Sequence, residues 1–142
     1  MAITQAVANS FKTEVLTGTH NFTATTGDSF KLALYTNSAT ISKSTTAYTT
    51  TAEVSGTGYT ATGNTLTSVT PALSSDTAVC DFADTSWTSA TITARGALIY
   101  NDSQSDKAVV ILDFGGDKTS TAGTFTIQFP AADASNAKLR LA

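Results

Sequence analysis

The densest apolar run in the chain, Ala108-Val109-Val110-Ile111-Leu112, limits the possible architecture more than any other stretch. Five consecutive apolar residues bounded by turn formers suit a strand covered on both faces and do not suit one with a wet side. The run predicts a mid-sheet strand. Its hairpin partner is 91–100, where Ile92 and Ala94 share one face before the pattern resumes as Ala97-Leu98-Ile99-Tyr100 beyond Arg95-Gly96. A change of phase at a glycine within a strand predicts a β-bulge, because glycine tolerates the kink that an extra residue introduces. Residues 85–117 therefore read as two long strands around a polar loop.

At 142 residues the chain is long enough to bury a core without metal or disulfide staples, and it reads as one body. Charged residues make up 13%, well under the roughly 25% of an ordinary globular protein. Threonine takes the vacated share, at about a fifth of the chain. Its β-branched side chain is stiff at χ1 and sits well on a pleated surface, which favours strands over helices. The net charge of −3, with eight Lys and Arg scattered from Lys12 to Arg140, gives no basic footprint and disfavours nucleic acid as a partner. Cys80 is the only cysteine, so neither an intrachain disulfide nor a cysteine-based zinc site can form. The first ten residues lack a basic stretch followed by a long apolar one, and no segment approaches the roughly 18 apolar residues of a membrane span. The expectation is a chain made in a cytoplasm, not exported by a cleaved signal, with no membrane partner.

From the N-terminus, Ile3, Val7, Phe11 and Val15 recur every four residues, with Ala6 and Leu16 widening the stripe. This predicts an amphipathic helix over 3–16, closed by Thr17-Gly18. A terminal helix of this kind docks on its own domain or serves as an arm that packs on a partner subunit. The second alternative makes Ile3, Val7, Phe11 and Leu16 the candidate interface and divides the chain into a helical arm, 1–18, and a β domain, 19–142. Phe30, Leu32 and Leu34 then mark a half-buried strand. Residues 36–63 carry only Ile41, Tyr48, Val54 and Tyr59 as anchors among Thr, Ser, Ala and Gly. Segments longer than about 12–15 residues without secondary structure tend to be functional or disordered, so 36–63 reads as a surface excursion or as an ordered meander.

A strand around Leu66 should end at Pro71, which cannot donate to a ladder. Another is expected over 77–83, with Cys80 a small buried hydrophobe and not a reactive thiol. Trp87 reads as a lid on the core. Gly115-Gly116-Asp117 should turn the chain into a strand at 123–130 with Phe125, Ile127 and Phe129 inward, and 138–141 should be a short last strand. Several short strands with regular turn signals predict a mainly β fold, an antiparallel sandwich or jelly roll with one short N-terminal helix.

Catalytic equipment is in short supply. His20 is the single histidine, and no nucleophile-elbow motif accompanies it, so a Ser-His-Asp reading has no sequence support. Asp113-Phe114-Gly115 matches a kinase metal motif in letters only, with no Gly-rich phosphate loop elsewhere. The loop Asn101-Asp102-Ser103-Gln104-Ser105-Asp106 clusters oxygens that a hard cation could use. The same residues are the commonest turn formers, and no EF-hand spacing is present. The reading is a non-enzymatic chain with no cofactor and no metal site.

Five phrases spread over the chain carry a resemblance: SFKTEVLTGTHNF at 10–22, GDSFKLALYTNSATI at 27–41, TTAYTTTAEVSGTGY at 45–59, TITARGALIYND at 91–102 and ILDFGGDKTSTAGTFTIQF at 111–129. Together they resemble a widespread group of small virion proteins of tailed bacteriophages, found mainly in environmental phages. The resemblance implies a structural component of the particle with no catalytic residues to carry over. The expected role is capsid decoration, a cement protein bound outside the major capsid protein lattice; the alternative is a tail- or fibre-associated or receptor-binding protein. It also implies other virion proteins as partners, a homo-oligomer, for which a trimer is the natural guess at a lattice three-fold, and location in the virion after synthesis in the host bacterial cytoplasm. A receptor-binding module would present an aromatic platform, for which Tyr48, Tyr59 and Trp87 are the supply.

Overall fold

The computed structural model describes residues 2–142 and shows a mainly β, antiparallel, sandwich-like domain. In chain order the elements are β1 (Ala6–Val7), α1 (Asn9–Leu16), β2 (Phe30–Tyr35), β3 (Asn64–Thr65), β4 (Ser68–Ser74), β5 (Thr77–Phe82), β6 (Thr85–Asn101), β7 (Lys107–Ile127) and β8 (Leu139–Leu141). One sheet has the order β1-β7-β6-β2-β3 and the other β4-β5-β8.

The β6/β7 hairpin is the spine of the larger sheet, with Leu98 opposite Ile111 and Ile99 opposite Val110. Strand β2 lies on the other side of β6, with Leu32 opposite Ile99. Residues 97–101 and 108–112 are all buried, as the apolar run requires of a strand covered on both faces. One cover is aromatic: Phe30 stacks on Phe22 with centroids 4.3 Å apart and meets Phe82 of the second sheet at 5.7 Å. The other is the 36–63 excursion, which lays Tyr48 on Tyr100 at 4.9 Å. That excursion has only isolated bridges, Tyr35 to Glu53 and Ala47 to Lys107, yet Ala39, Ile41 and Val54 are buried in the core.

Several expectations need correction. The helix does not span 3–16: α1 begins at Asn9, and Ala6 and Val7 are a strand opposite Ile111 and Val110. A four-residue spacing lies close to one helical turn and is twice the two-residue strand period, so Ile3 and Val7 share a face either way. The exposed edge of β7 decides it by offering backbone partners, and Ala8 N–H donates to Val109 O at 2.9 Å. The division at residue 18 likewise separates nothing, because Ile3, Ala8 and Phe11 lie in the same core as Phe30 and Ile111.

Gly115-Gly116-Asp117 does not turn the chain. β7 runs on to Ile127, and four residues, Phe114 to Asp117, bulge opposite Arg95 alone, between the pairs Gly96–Asp113 and Ala94–Lys118. The irregularity anticipated at Arg95-Gly96 is present, but the extra residues are on the partner strand. Pro71 sits inside β4, at the register shift between Val69 and Ala72. Its missing donor is tolerated there because β4 is an edge strand and the shift opens the ladder.

Candidate functional site

Of the four residues proposed as a partner interface, Ile3 and Phe11 are buried in the chain's own core, and Val7 is half-buried in β1. Ile3 lies so close to Gly96 that a Cβ there would come within 2.8 Å of Ile3 Cδ1. Only Leu16, at 81% exposed, offers surface. The four are not brought together.

His20 is buried between α1 and the central hairpin. Its Nε2 lies 3.0 Å from Glu14 Oε1, and its Nδ1 lies 2.9 Å from Asn101 Nδ2. The Asn101 amide also donates to Asp28 Oδ2 at 2.8 Å, and Asn101 Oδ1 accepts from Ser103 N–H at 3.0 Å. With Asn101 donating, Nδ1 must accept, so the ring carries its proton on Nε2 and donates to Glu14. Both nitrogens are therefore committed to internal partners, Glu14 and Asn101. Burial alone would raise the Glu14 carboxyl, but hydrogen bonds from His20 and Lys107 outweigh it and hold the group below its ordinary range. The Lys107 Nζ to Glu14 Oε2 pair, 3.2 Å long with Lys107 39% exposed, belongs to a class worth about 0–1 kcal/mol. Burying the Phe11 ring contributes about 1.5–3 kcal/mol, so packing of Phe11 on His20 and Phe22, at 4.8 and 5.9 Å, docks the helix and the polar groups orient it.

A second polar knot fastens the excursion. Tyr48 and Tyr59 donate to the two carboxylate oxygens of Glu53 at 2.5 and 2.6 Å, and Thr62 N–H donates to Oε1 at 2.8 Å. Burial, followed by the hydrogen bond to Glu53, pushes the Tyr48 hydroxyl up to about 12. Trp87 is buried beneath Tyr59 and against Phe125, at 5.8 and 6.2 Å. The three rings suggested for an exposed aromatic platform are thus structural. At the hairpin tip, burial and then the neighbouring Asp102 raise the Asp106 carboxyl. Among the described residues no group of three or more His, Cys, Asp or Glu is placed to hold a metal ion.

Two features were not read from the sequence. Asp81 is 1% exposed; its Oδ1 accepts from Phe82 N–H at 3.0 Å, while Oδ2 has no partner. Across the second sheet, Leu73 faces Ala78 and Ala78 faces Leu141 in register. Directly opposed residues point to the same side of a sheet, so the three form a row, with Leu73 76% and Leu141 68% exposed. Neither leucine stands in a long alternating run, the signal that marks a strand face. No family model, curated protein or solved structure compared with the chain matches it.

Proposed function

We propose that the chain is a structural protein of a tailed-bacteriophage particle, a decoration protein that adheres to the outside of the major capsid protein lattice and stabilises the head. The observation that carries the reading, beside the five phrases of the resemblance, is the exposed row Leu73-Ala78-Leu141. A strand face that displays two leucines to water gains about 25 cal/mol for each Å² it buries on a partner. Repeated over many copies, such association strengthens a shell without any chemistry. The rigid fastening of the 36–63 excursion by Glu53 fits a surface that docks preformed, with little ordering cost on binding.

The test is addition of the full chain to purified capsids, with bound copies counted by quantitative mass spectrometry. The L73E/L141E double variant, unchanged in thermal stability because both side chains are exposed, should lose occupancy. Full occupancy by that variant overturns this surface as the attachment. The copy number on native particles separates the roles: one in step with the capsid lattice supports decoration, and one in step with the tail's rotational symmetry supports a tail or fibre protein.

A further inference from the structure

Beyond Asp113, β7 has a partner on one side only. Strand β1 covers Val110 and Ile111, and Gln5 Oε1 accepts from Asp113 N–H at 3.1 Å. From Lys118 to Ile127 the strand is paired with β6 and with no other strand. Natural edges are blunted by charge or proline, yet residues 119–127 (Thr-Ser-Thr-Ala-Gly-Thr-Phe-Thr-Ile) contain neither. A bulge at Thr121-Ala122, with Ala122 at φ 45°, sets the start of the free edge at Gly123. Over 123–127, about 17 Å of strand, a second register shift between Trp87 and Ala90 puts its extra residue on β6, opposite Thr124.

A groove of about 530 Å³ follows this edge and is lined by every residue from Thr124 to Phe129. Successive strand residues point to opposite faces, so a groove that touches all of them lies beside the strand and not over one face. Its charged lining consists of Lys118, Lys138 and Asp113. Asp113 Oδ1 already accepts from Arg95 Nε at 3.1 Å and from Gly115 N–H at 2.9 Å. Lys118 and Lys138 form no ion pair among the described residues. Lys138 also faces the charge of the buried Asp81, so in a chain of net charge −3 the groove offers two lysines outside any contact ion pair, Lys118 the freer of them, beside a free row of backbone donors and acceptors.

We infer that this edge binds an extended segment of a partner protein, which adds as a strand along 123–127 and brings a carboxylate to Lys118 or Lys138. The backbone row demands a β-strand, and the lysines select an acidic one. A second copy of this chain fits less well, because pairing two such edges gathers four lysines in one seam. The inference goes beyond the apolar row proposed above and concerns a different face, so each can fail alone.

The experiment is selection of displayed random ten-residue peptides on the full chain, followed by affinity measurement and backbone NMR mapping of the enriched peptides. The expected result is enrichment of Asp or Glu in extended sequences, chemical-shift changes at 123–127, and affinity at least about tenfold weaker for K118E/K138E and for T124K, as for loss of a desolvated charge contact or blocking of the edge. Thermal melts of both variants check that they remain folded. Enriched peptides without acidic residues, shifts mapped elsewhere, equal affinity for K118E/K138E, no enrichment at all, or a dimer in sedimentation that T124K abolishes would each overturn it.

Discussion

The imidazole of His20 donates from Nε2 to Glu14 while accepting at Nδ1 from Asn101, at 3.0 and 2.9 Å, so one ring ties the helix to the central hairpin. Glu14 is held below its ordinary carboxyl range, against the raising effect of burial, by this bond and by Lys107. A depressed folded-state value means stability that is present above the unfolded value and lost as pH falls through the folded one. E14Q should therefore be less stable than the parent at pH 7, with the difference closing through the acid range below the ordinary value of 4.5. Urea midpoints from pH 7 down to pH 3 measure this, and a gap that widens on acidification contradicts it.

Asp81 has the opposite sign. Burial raises its carboxyl against the lowering effect of the Phe82 and Lys138 backbone amides and of the Lys138 charge, and Oδ2 has no hydrogen bond among the described residues. A raised carboxyl binds its proton more tightly in the folded state, so its ionised form costs stability above the folded value and the cost vanishes as pH falls through it. D81N removes the charge and keeps an oxygen for the Phe82 amide. It should raise the melting temperature at pH 7 and lose that advantage in acid. A D81N protein less stable than the parent at neutral pH shows that the carboxylate has a stabilising partner.

Two properties decided how much was legible in the sequence. Strong local signals survived: the run 108–112 is buried on both faces, and Leu139 to Leu141 form the last strand. The N-terminal stripe misled because a spacing of four satisfies two periods, and the choice rests with a β7 edge more than a hundred residues away. Gly115-Gly116 misled because a glycine pair serves a wide bulge as well as a turn. Glu53 was invisible as a hub, since its partners Tyr48, Tyr59 and Thr62 converge only once the excursion is folded. The row Leu73-Ala78-Leu141 joins three strands and exists only in the assembled sheet.

Glu53 also makes a kinetic prediction. E53A leaves the part-buried hydroxyls of Tyr48 and Tyr59 without their acceptor, each at a cost of at most about 1–3 kcal/mol, while the β6/β7 ladder is untouched. Amide exchange over 36–63 should speed up more than exchange over 97–101 and 108–112. Uniform acceleration across the protein means instead that the knot supports the whole core.

Gly63 ends the excursion at φ +78°, and a Cβ there would lie 1.8 Å from Leu32 O and 2.8 Å from Ala33 Cα. Those neighbours are backbone of buried β2, so they cannot step aside as a flexible side chain would. Gly115 has nearly the same angle, φ +79°, with no atom within 4 Å of its missing Cβ. The left-handed conformation alone costs a non-glycine residue about 1–2 kcal/mol, and this is the whole expected loss in G115A. G63A adds displacement of β2 from β3, where Leu32 faces Asn64, and should lose several times as much or fail to fold. Chemical denaturation of the two variants side by side separates strain from collision. Equal losses show that β2 shifts freely at Leu32, which a strand buried on both faces does not permit.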